Sequence, residues 1–423
     1  MTTAAPRIVD LHAHFPMHFY PLDEEADRSN QLAEFLDNLS EREKHLLLVL
    51  GGFVMNNWYQ GKPRVDLDSM QRGGVESVLS VLYPFFDEID GATSDALVFP
   101  LRWPAPKSSY FDELLRQMTA VEARVSHFGD TVAVVRNWEE LTNAKRNGKL
   151  SVLHAVEGGF VLGSTPGEMS DRVRVIAELG VAYVTVAHLF FRGVAANAAP
   201  IPNVPWILRL GRSSDQWCHE NLPVPSDTGL TALGASLVNA LIDNGVLVDL
   251  THLSGQAIDE TLDLLDQRDP DALIPVLVSH GAYRFGTREY NLTESQIVRI
   301  AKRKGTIGLL VCKDFMGDGL TEHRAFPVML QHIQKIGEIV EGARIPGVGR
   351  YDCVSIGTDL DGFIEPLQDI NTISDLKGIA SQLMSELPQH AEAICRDNAY
   401  RLLRSGVEHG KPVGTRMPWA PVL

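Results

Sequence analysis

Seven side chains carry the chemistry open to this sequence: His12, His14, Glu157, His188, His252, His280 and Asp359. Histidine and carboxylate are nitrogen and oxygen ligands for divalent metals, and neutral imidazole is the commonest of them. His12 and His14 stand two apart in Ile8-Val9-Asp10-Leu11-His12-Ala13-His14. Side chains of a β-strand alternate between faces, so Asp10, His12 and His14 share one face and Val9, Leu11 and Ala13 the other. Two imidazoles so placed chelate one cation without distorting the backbone. A lone histidine near a strand end has a plainer use, as a hydrogen-bonded structural residue. The pair therefore points to a metal only if the rest of the chain brings more ligands to equivalent places.

It does. Apolar runs of strand length recur at residues 75–84, 151–157, 182–188, 246–252, 274–280, 306–312 and 354–359. Near-continuous Val, Ile and Leu indicate parallel strands covered on both faces. Segments between them read as amphipathic helices. Residues 231–244 place Leu233, Leu237, Leu241 and Ile242 on one stripe, with Gly245 as the stop. Thr293 caps another helix, with Gln296 as its capping-box partner. Eight strands alternating with helices predict a (β/α)8 barrel, an α/β fold, and residues 1–423 read as one domain. Long insertions follow the first strand (15–74, helix-like over 30–50) and the second (85–150, helix-like over 111–128). The loop after the fourth strand, through Pro200, Pro202, Pro205 and Pro225, is also long. Such excursions shape the mouth of a site or an oligomer contact.

A barrel's active site lies at the carboxyl ends of its strands. Glu157, His188, His252, His280 and Asp359 close the third, fourth, fifth, sixth and eighth runs, and His12 and His14 close the first. His154 shows that the pattern discriminates: three positions before Glu157, it falls on the opposite face, towards the helices. His18, His45, His127, His219, His323, His332, His390 and His409 lie away from strand ends and are read as ordinary surface or core histidines. Asp10, lower on the His12 face, is expected to support the ligands from behind. A donor set of nitrogen and oxygen without cysteine suits zinc, with manganese, iron and cobalt as alternatives. Four histidines and Glu157 exceed one tetrahedral site. Two metals bridged by Glu157 and a hydroxide account for them, a pair that acidifies the bridging water and clamps a carbonyl oxygen.

Composition narrows the partners. With 423 residues, 44% hydrophobic and 22% charged, the chain has an ordinary globular make-up. A net charge of -16 argues against nucleic acid or an anionic membrane as partner. No apolar run reaches the roughly 18 residues of a transmembrane helix, and the N-terminal Met1-Thr2-Thr3-Ala4-Ala5-Pro6-Arg7 has no apolar core of signal-peptide length. The cysteines Cys218, Cys312, Cys353 and Cys395 are scattered, as reduced thiols in the cytoplasm would be.

In order along the chain, several short motifs resemble the membrane (renal) dipeptidases, zinc enzymes of the amidohydrolase superfamily. They are Val156-Glu157-Gly158-Gly159, Val184-Thr185-Val186-Ala187-His188, residues 248–254 around Thr251-His252, Ser279-His280, residues 356–362 around Asp359, and residues 397–403. The resemblance runs from Val9 to about Arg404. It implies two Zn2+ per chain bridged by Glu157, one held by His12 and the second residue of its motif, the other by His252 and His280. His188 would polarise the scissile carbonyl, and Asp359 would take a proton from the attacking hydroxide and pass it to the leaving amine. The substrate would be a small dipeptide-like molecule and the assembly a homodimer.

Two departures loosen the substrate assignment. The family has His-x-Asp on the first strand where this chain has His12-Ala13-His14, which adds one unit of positive charge to the centre. The family also binds the dipeptide's terminal carboxylate with an arginine at the position of Tyr290. Tyrosine cannot copy a bidentate guanidinium. Arg284 and Arg288 are the candidates to replace it, with Arg192 a weaker one. The readings are therefore dipeptide hydrolysis, hydrolysis of another amide, lactone or cyclic amide, and a metal-binding barrel without hydrolysis. Retention of His188 and Asp359 disfavours the last.

Overall fold

The eight apolar runs form eight parallel strands: β1 Ile8–Ala13, β2 Val75–Leu82, β3 Leu150–Glu157, β4 Tyr183–Thr185, β5 Leu247–Asp249, β6 Leu277–Gly281, β7 Thr306–Leu309 and β8 Val354–Ile356. Each pairs with its neighbour in sequence, and β1 pairs with β8 (Asp10 opposite Ile356), so the sheet closes on itself. The chain is a (β/α)8 barrel. This computed structural model describes residues 5–18, 56–83, 110–189, 191–199 and 229–408. The helix expected at 30–50, the proline-rich stretch 200–228 and most of the first insertion lie outside the described residues.

Helices join the strands where the sequence places them. Thr231 accepts from the Gly234 amide to open Ala232–Asn244, and Gly245 ends it in the left-handed region. Thr293 and Gln296 form the capping box of Glu294–Lys302. The second insertion carries Tyr110–Ser126 and then a short extra strand, Val132–Val134, beside the start of β3.

Most strands stop short of their apolar runs, although β3 begins one residue before its run, at Leu150, and β6 ends one residue past its run, at Gly281. His188, His252 and Asp359 therefore stand in the turns just past β4, β5 and β8, whereas Glu157 and His280 are still in strand. The difference has a physical reason. A residue in the left-handed region cannot continue an extended ladder, and His252 and Asp359 stand there at φ 67 and 60. That left-handed conformation is uncommon for side-chain-bearing residues. Gly158 turns the chain away after Glu157 at φ 92, where its own amide still reaches the Thr185 carbonyl.

Candidate metal centre

Glu157 is the hub. Its Oε1 lies 3.4 Å from His12 Nε2, 3.2 Å from His252 Nε2 and 3.6 Å from His280 Nε2. Its Oε2 lies 3.4 Å from His14 Nε2 and 3.4 Å from His188 Nε2. Asp359 Oδ1 stands 3.3 Å from His14 Nε2 and 3.7 Å from His12 Nε2. All seven side chains are buried. The expected set thus converges on one point. The two carboxylate oxygens sort the histidines differently from the pairs read in the sequence, with His12 on the side of His252 and His280.

This donor set fits metal. Two ligands of one tetrahedral zinc sit roughly 3.3–3.6 Å apart, given metal–ligand distances of about 2.0–2.2 Å. The spacing around Glu157 is of that size. Three overlapping groups keep their ligand atoms within 4.8 Å of one another: His12, His280 and Asp359; His12, His14 and Glu157; Glu157, His188 and His252. His252 and His280 face each other Nε2 to Nε2 at 3.1 Å, and His12 and His14 do so at 3.4 Å. Facing imidazole lone pairs repel unless a cation or proton lies between them. Burial pushes His12 and His280 well below the ordinary histidine value, which keeps them neutral, as ligands must be. Burial raises Asp359, the Glu157 charge adds to this, and the His14 contact opposes it.

The supports behind the ligands form a second network. Asp10 accepts from the His12 amide (3.2 Å), the Thr358 amide (2.9 Å) and the Thr358 hydroxyl (2.7 Å). Its support therefore goes to the backbone of β1 and of the Asp359 turn, and not to an imidazole. That turn is laced to β1, since the Asp359 amide donates to the His12 carbonyl and the His14 amide to the Leu360 carbonyl. On the far side Asp249 Oδ2 accepts from the hydroxyls of Thr185 (2.7 Å) and Ser279 (2.6 Å). Its Oδ1 accepts from the Thr251 hydroxyl and the Ser279 amide.

Against this geometry the comparisons with known proteins are decisive. The membrane dipeptidase family, peptidase family M19, matches residues 8–411. The chain belongs to the membrane dipeptidase family. The dipeptidase tcpJ of Claviceps purpurea is 22% identical over 346 residues, which cover 80% of this chain and 68% of that protein. The dipeptidase ataJ of Aspergillus terreus is 24% identical over 276 residues, 64% of this chain and 61% of that protein. A metallo peptidase from Rhodobacter sphaeroides, solved with a phosphinate mimic of the dipeptide L-Ala-D-Ala, superposes with a TM-score of 0.62. It is 18% identical and the match covers 94% of this chain and 98% of that one, which establishes the shared fold. Family membership makes this chain a metal-dependent hydrolase of the dipeptidase type.

Within this membrane dipeptidase fold the residues expected at the substrate separate. Tyr290 adjoins the centre: its ring meets His252 edge-on at 5.1 Å and stacks on Phe315 at 4.1 Å. Burial and the nearby Asp359 and Glu157 charges keep its phenol protonated. Arg284 donates instead to the carbonyls of Asn291 and Glu289 in its own loop, both at 2.8 Å. Arg288 lies over Phe315, 5.9 Å from the ring, and Arg192 over Phe160 at 5.5 Å. Asp361 accepts from the amides of Arg64 and Val65, away from the ligands. His154 faces outward, 3.8 Å from Glu122 of the helix Tyr110–Ser126. The side chain of His18 lies outside the described residues.

Sequence reasoning assigned no role to Tyr83, Tyr183, Asp249 or Ser279. Tyr83 meets the His188 ring edge-on at 4.3 Å, and both its backbone amide and its carbonyl are held by the Gln117 side chain. The available signal was position. Ser279 immediately precedes the ligand His280 within β6 and Asp249 ends β5 just before the turn that carries His252, and an acid or hydroxyl there can reach the ligands' backs.

Proposed function

We propose that this chain hydrolyses the peptide bond of a dipeptide or dipeptide-like amide at a pair of Zn2+ ions. The observation that carries the reading is Glu157, buried with five imidazole Nε2 atoms around its two oxygens. Although His12 lies nearest the Glu157 oxygen shared with His252 and His280, its Nε2 faces that of His14 at 3.4 Å as His280 faces His252 at 3.1 Å, so His12 and His14 would hold one metal with Glu157, and His252 and His280 the other. When bound, the metals supply Lewis acidity for the carbonyl and a water acidified enough to attack at neutral pH. Asp359 faces the cluster from the β8 turn with a carboxylate that burial and Glu157 make more basic than an exposed one. It takes the proton from the attacking water and returns it to the leaving amine. His188, beside Glu157 Oε2 and supported by the Tyr83 ring, donates to the developing oxyanion. Tyr290 and Arg288 line the approach from the β6 loop. The protein acts as one domain on a small substrate, as a homodimer in the cytoplasm. Nucleic acid and anionic membrane are not its partners, given the net charge of -16.

A second reading is favoured by a specific observation. Tyr290 offers no positive charge beside His252, and the Arg284 guanidinium is committed to its own loop. A substrate with a neutral far end, such as a blocked dipeptide, another amide or a lactone, fits that wall. Metal content and turnover on a panel of L-L and L-D dipeptides, each paired with its C-terminal amide, and on a set of lactones, separate the two. Free dipeptides turned over faster than their amides support the first reading. Amides or lactones turned over preferentially support the second. Two metals with no turnover on any of them would overturn both.

A further inference from the structure

The two halves of the proposed metal centre are joined from behind by a single hydroxyl. Ser279 Oγ stands 3.2 Å from His12 Nδ1, 2.9 Å from His280 Nδ1 and 2.6 Å from Asp249 Oδ2. A hydroxyl has one proton and two lone pairs. Asp249 accepts from the hydroxyls of Thr185 and Thr251 as well, and the Ser279 proton goes to its Oδ2. Both lone pairs are then left to accept; the Thr251 hydroxyl, 3.3 Å away, spends its proton on Asp249 Oδ1 at 2.8 Å, so the donors left are the two imidazole Nδ1 atoms. Each ring must therefore carry its proton on Nδ1, which leaves Nε2 bare. The same accounting holds at Tyr183. Its proton goes to the Leu11 carbonyl at 3.0 Å, so at 2.7 Å its oxygen accepts from His12 Nδ1. Two independent acceptors thus fix the tautomer of His12, and among the described residues Ser279 serves both His12 and His280.

We propose that Ser279 is a positioning residue shared by both metal positions, which orients and sets the tautomer of one histidine from each. Tyr183 performs the same task for the His12 side only. The inference rests on the two-metal reading above, because it assigns His12 and His280 to different ions. It predicts a pattern that a merely structural serine would not give. Loss of the Ser279 oxygen weakens both metals together, loss of the Tyr183 oxygen weakens one, and loss of the Thr185 hydroxyl weakens neither. Thr185 gives Asp249 the same kind of hydrogen bond as Ser279 does, and Asp249 reaches the two rings through Ser279.

The test strips the full-length protein with chelator and titrates Zn2+ back against a chromophoric competitor in wild type, S279A, Y183F and T185V. Apo melting temperatures are recorded in parallel. Outer-shell partners of this kind are worth about 10–100-fold in metal affinity. S279A is expected to lose that much at both sites, Y183F at one site, and T185V to keep wild-type affinity while losing some apo stability. Where S279A does not fold, S279C keeps the volume, removes the strong acceptor and carries the same expectation. Equal losses in S279A and T185V, or none in S279A, would overturn the proposal. Wild type binding fewer than two Zn2+ would overturn the two-metal reading itself, and is seen in a separate arm of the titration.

Discussion

Asp359 is held in place by a backbone conformation that most residues avoid. At φ 60 it leaves the β8 ladder, and its amide donates to the His12 carbonyl, so its carboxylate swings over the cluster. Such a conformation costs roughly 1–3 kcal/mol and persists where surrounding contacts over-determine it. Here the Asp10–Thr358 bonds and the lacing to β1 do so. Asp359→Asn keeps the shape and removes the proposed proton acceptor. Turnover should fall by about 10²–10⁴-fold, with metal content unchanged by elemental analysis. Loss of metal in the same variant would instead make Asp359 a ligand. The identity of the cluster was legible because strand alternation sorts residues: it separates Glu157 from His154, and the structure has the first at the centre and the second against Glu122. Arg284 and the tautomer network were not legible. Where a guanidinium ends depends on the path of its loop, and Ser279, Tyr183 and Asp249 look in sequence like any polar residues in a buried strand.

The elements that carry these residues were legible in kind more than in extent. Caps at Thr231 and Thr293 and the stop at Gly245 are local signals, and local geometry obeys them. Strand lengths are set by where neighbouring ladders break, which no single run reveals, and the extra strand Val132–Val134 pairs only because β3 offers it an edge. Close approach of strands gives one test. A Cβ at Gly357, just past β8, would collide with the Ser279 carbonyl oxygen of β6. Gly357→Ala is overpacking next to a positioned residue and should cost about 1–3 kcal/mol, read as a lower urea midpoint. The helix Tyr110–Ser126 gives another. His154 and Arg136 hold the Glu122 carboxyl at about 2, below its ordinary value of 4.5. A depressed carboxyl stabilises the fold above its unfolded value and loses that effect as pH falls through the folded one. The gap in melting temperature between wild type and Glu122→Gln should therefore be widest above pH 4.5 and close as pH falls to about 2. It should be small throughout, because the group is partly exposed. A gap independent of pH would assign the effect to packing.

At the scale of the molecule, the candidate ligands come from opposite walls of one closed sheet. His12 and His14 extend from β1, Glu157 from β3, His252 from the β5 turn and His280 from β6. Their side chains are buried, and they present nitrogen lone pairs and an ionised carboxylate to one another. Without a cation that arrangement is unfavourable, because buried charge and facing lone pairs are left uncompensated. A bound metal is thus a crosslink between strands distant in sequence, and binding energy at the centre becomes folding energy for the barrel. A bound metal ion at about 100 times its dissociation constant adds roughly 2.7 kcal/mol to the native state. Chelation is expected to lower the melting temperature, and stoichiometric Zn2+ to restore it. Hydrogen exchange should locate the effect: amides at the carboxyl ends of β1, β5 and β6 lose protection on chelation, while those of the helix Ala325–Ala343, remote from the ligands, keep theirs. A melting temperature unmoved by chelator in protein shown to contain metal would mean that the barrel closes without it. Protection lost evenly across all strands would mean that the metal holds the whole fold and not its mouth.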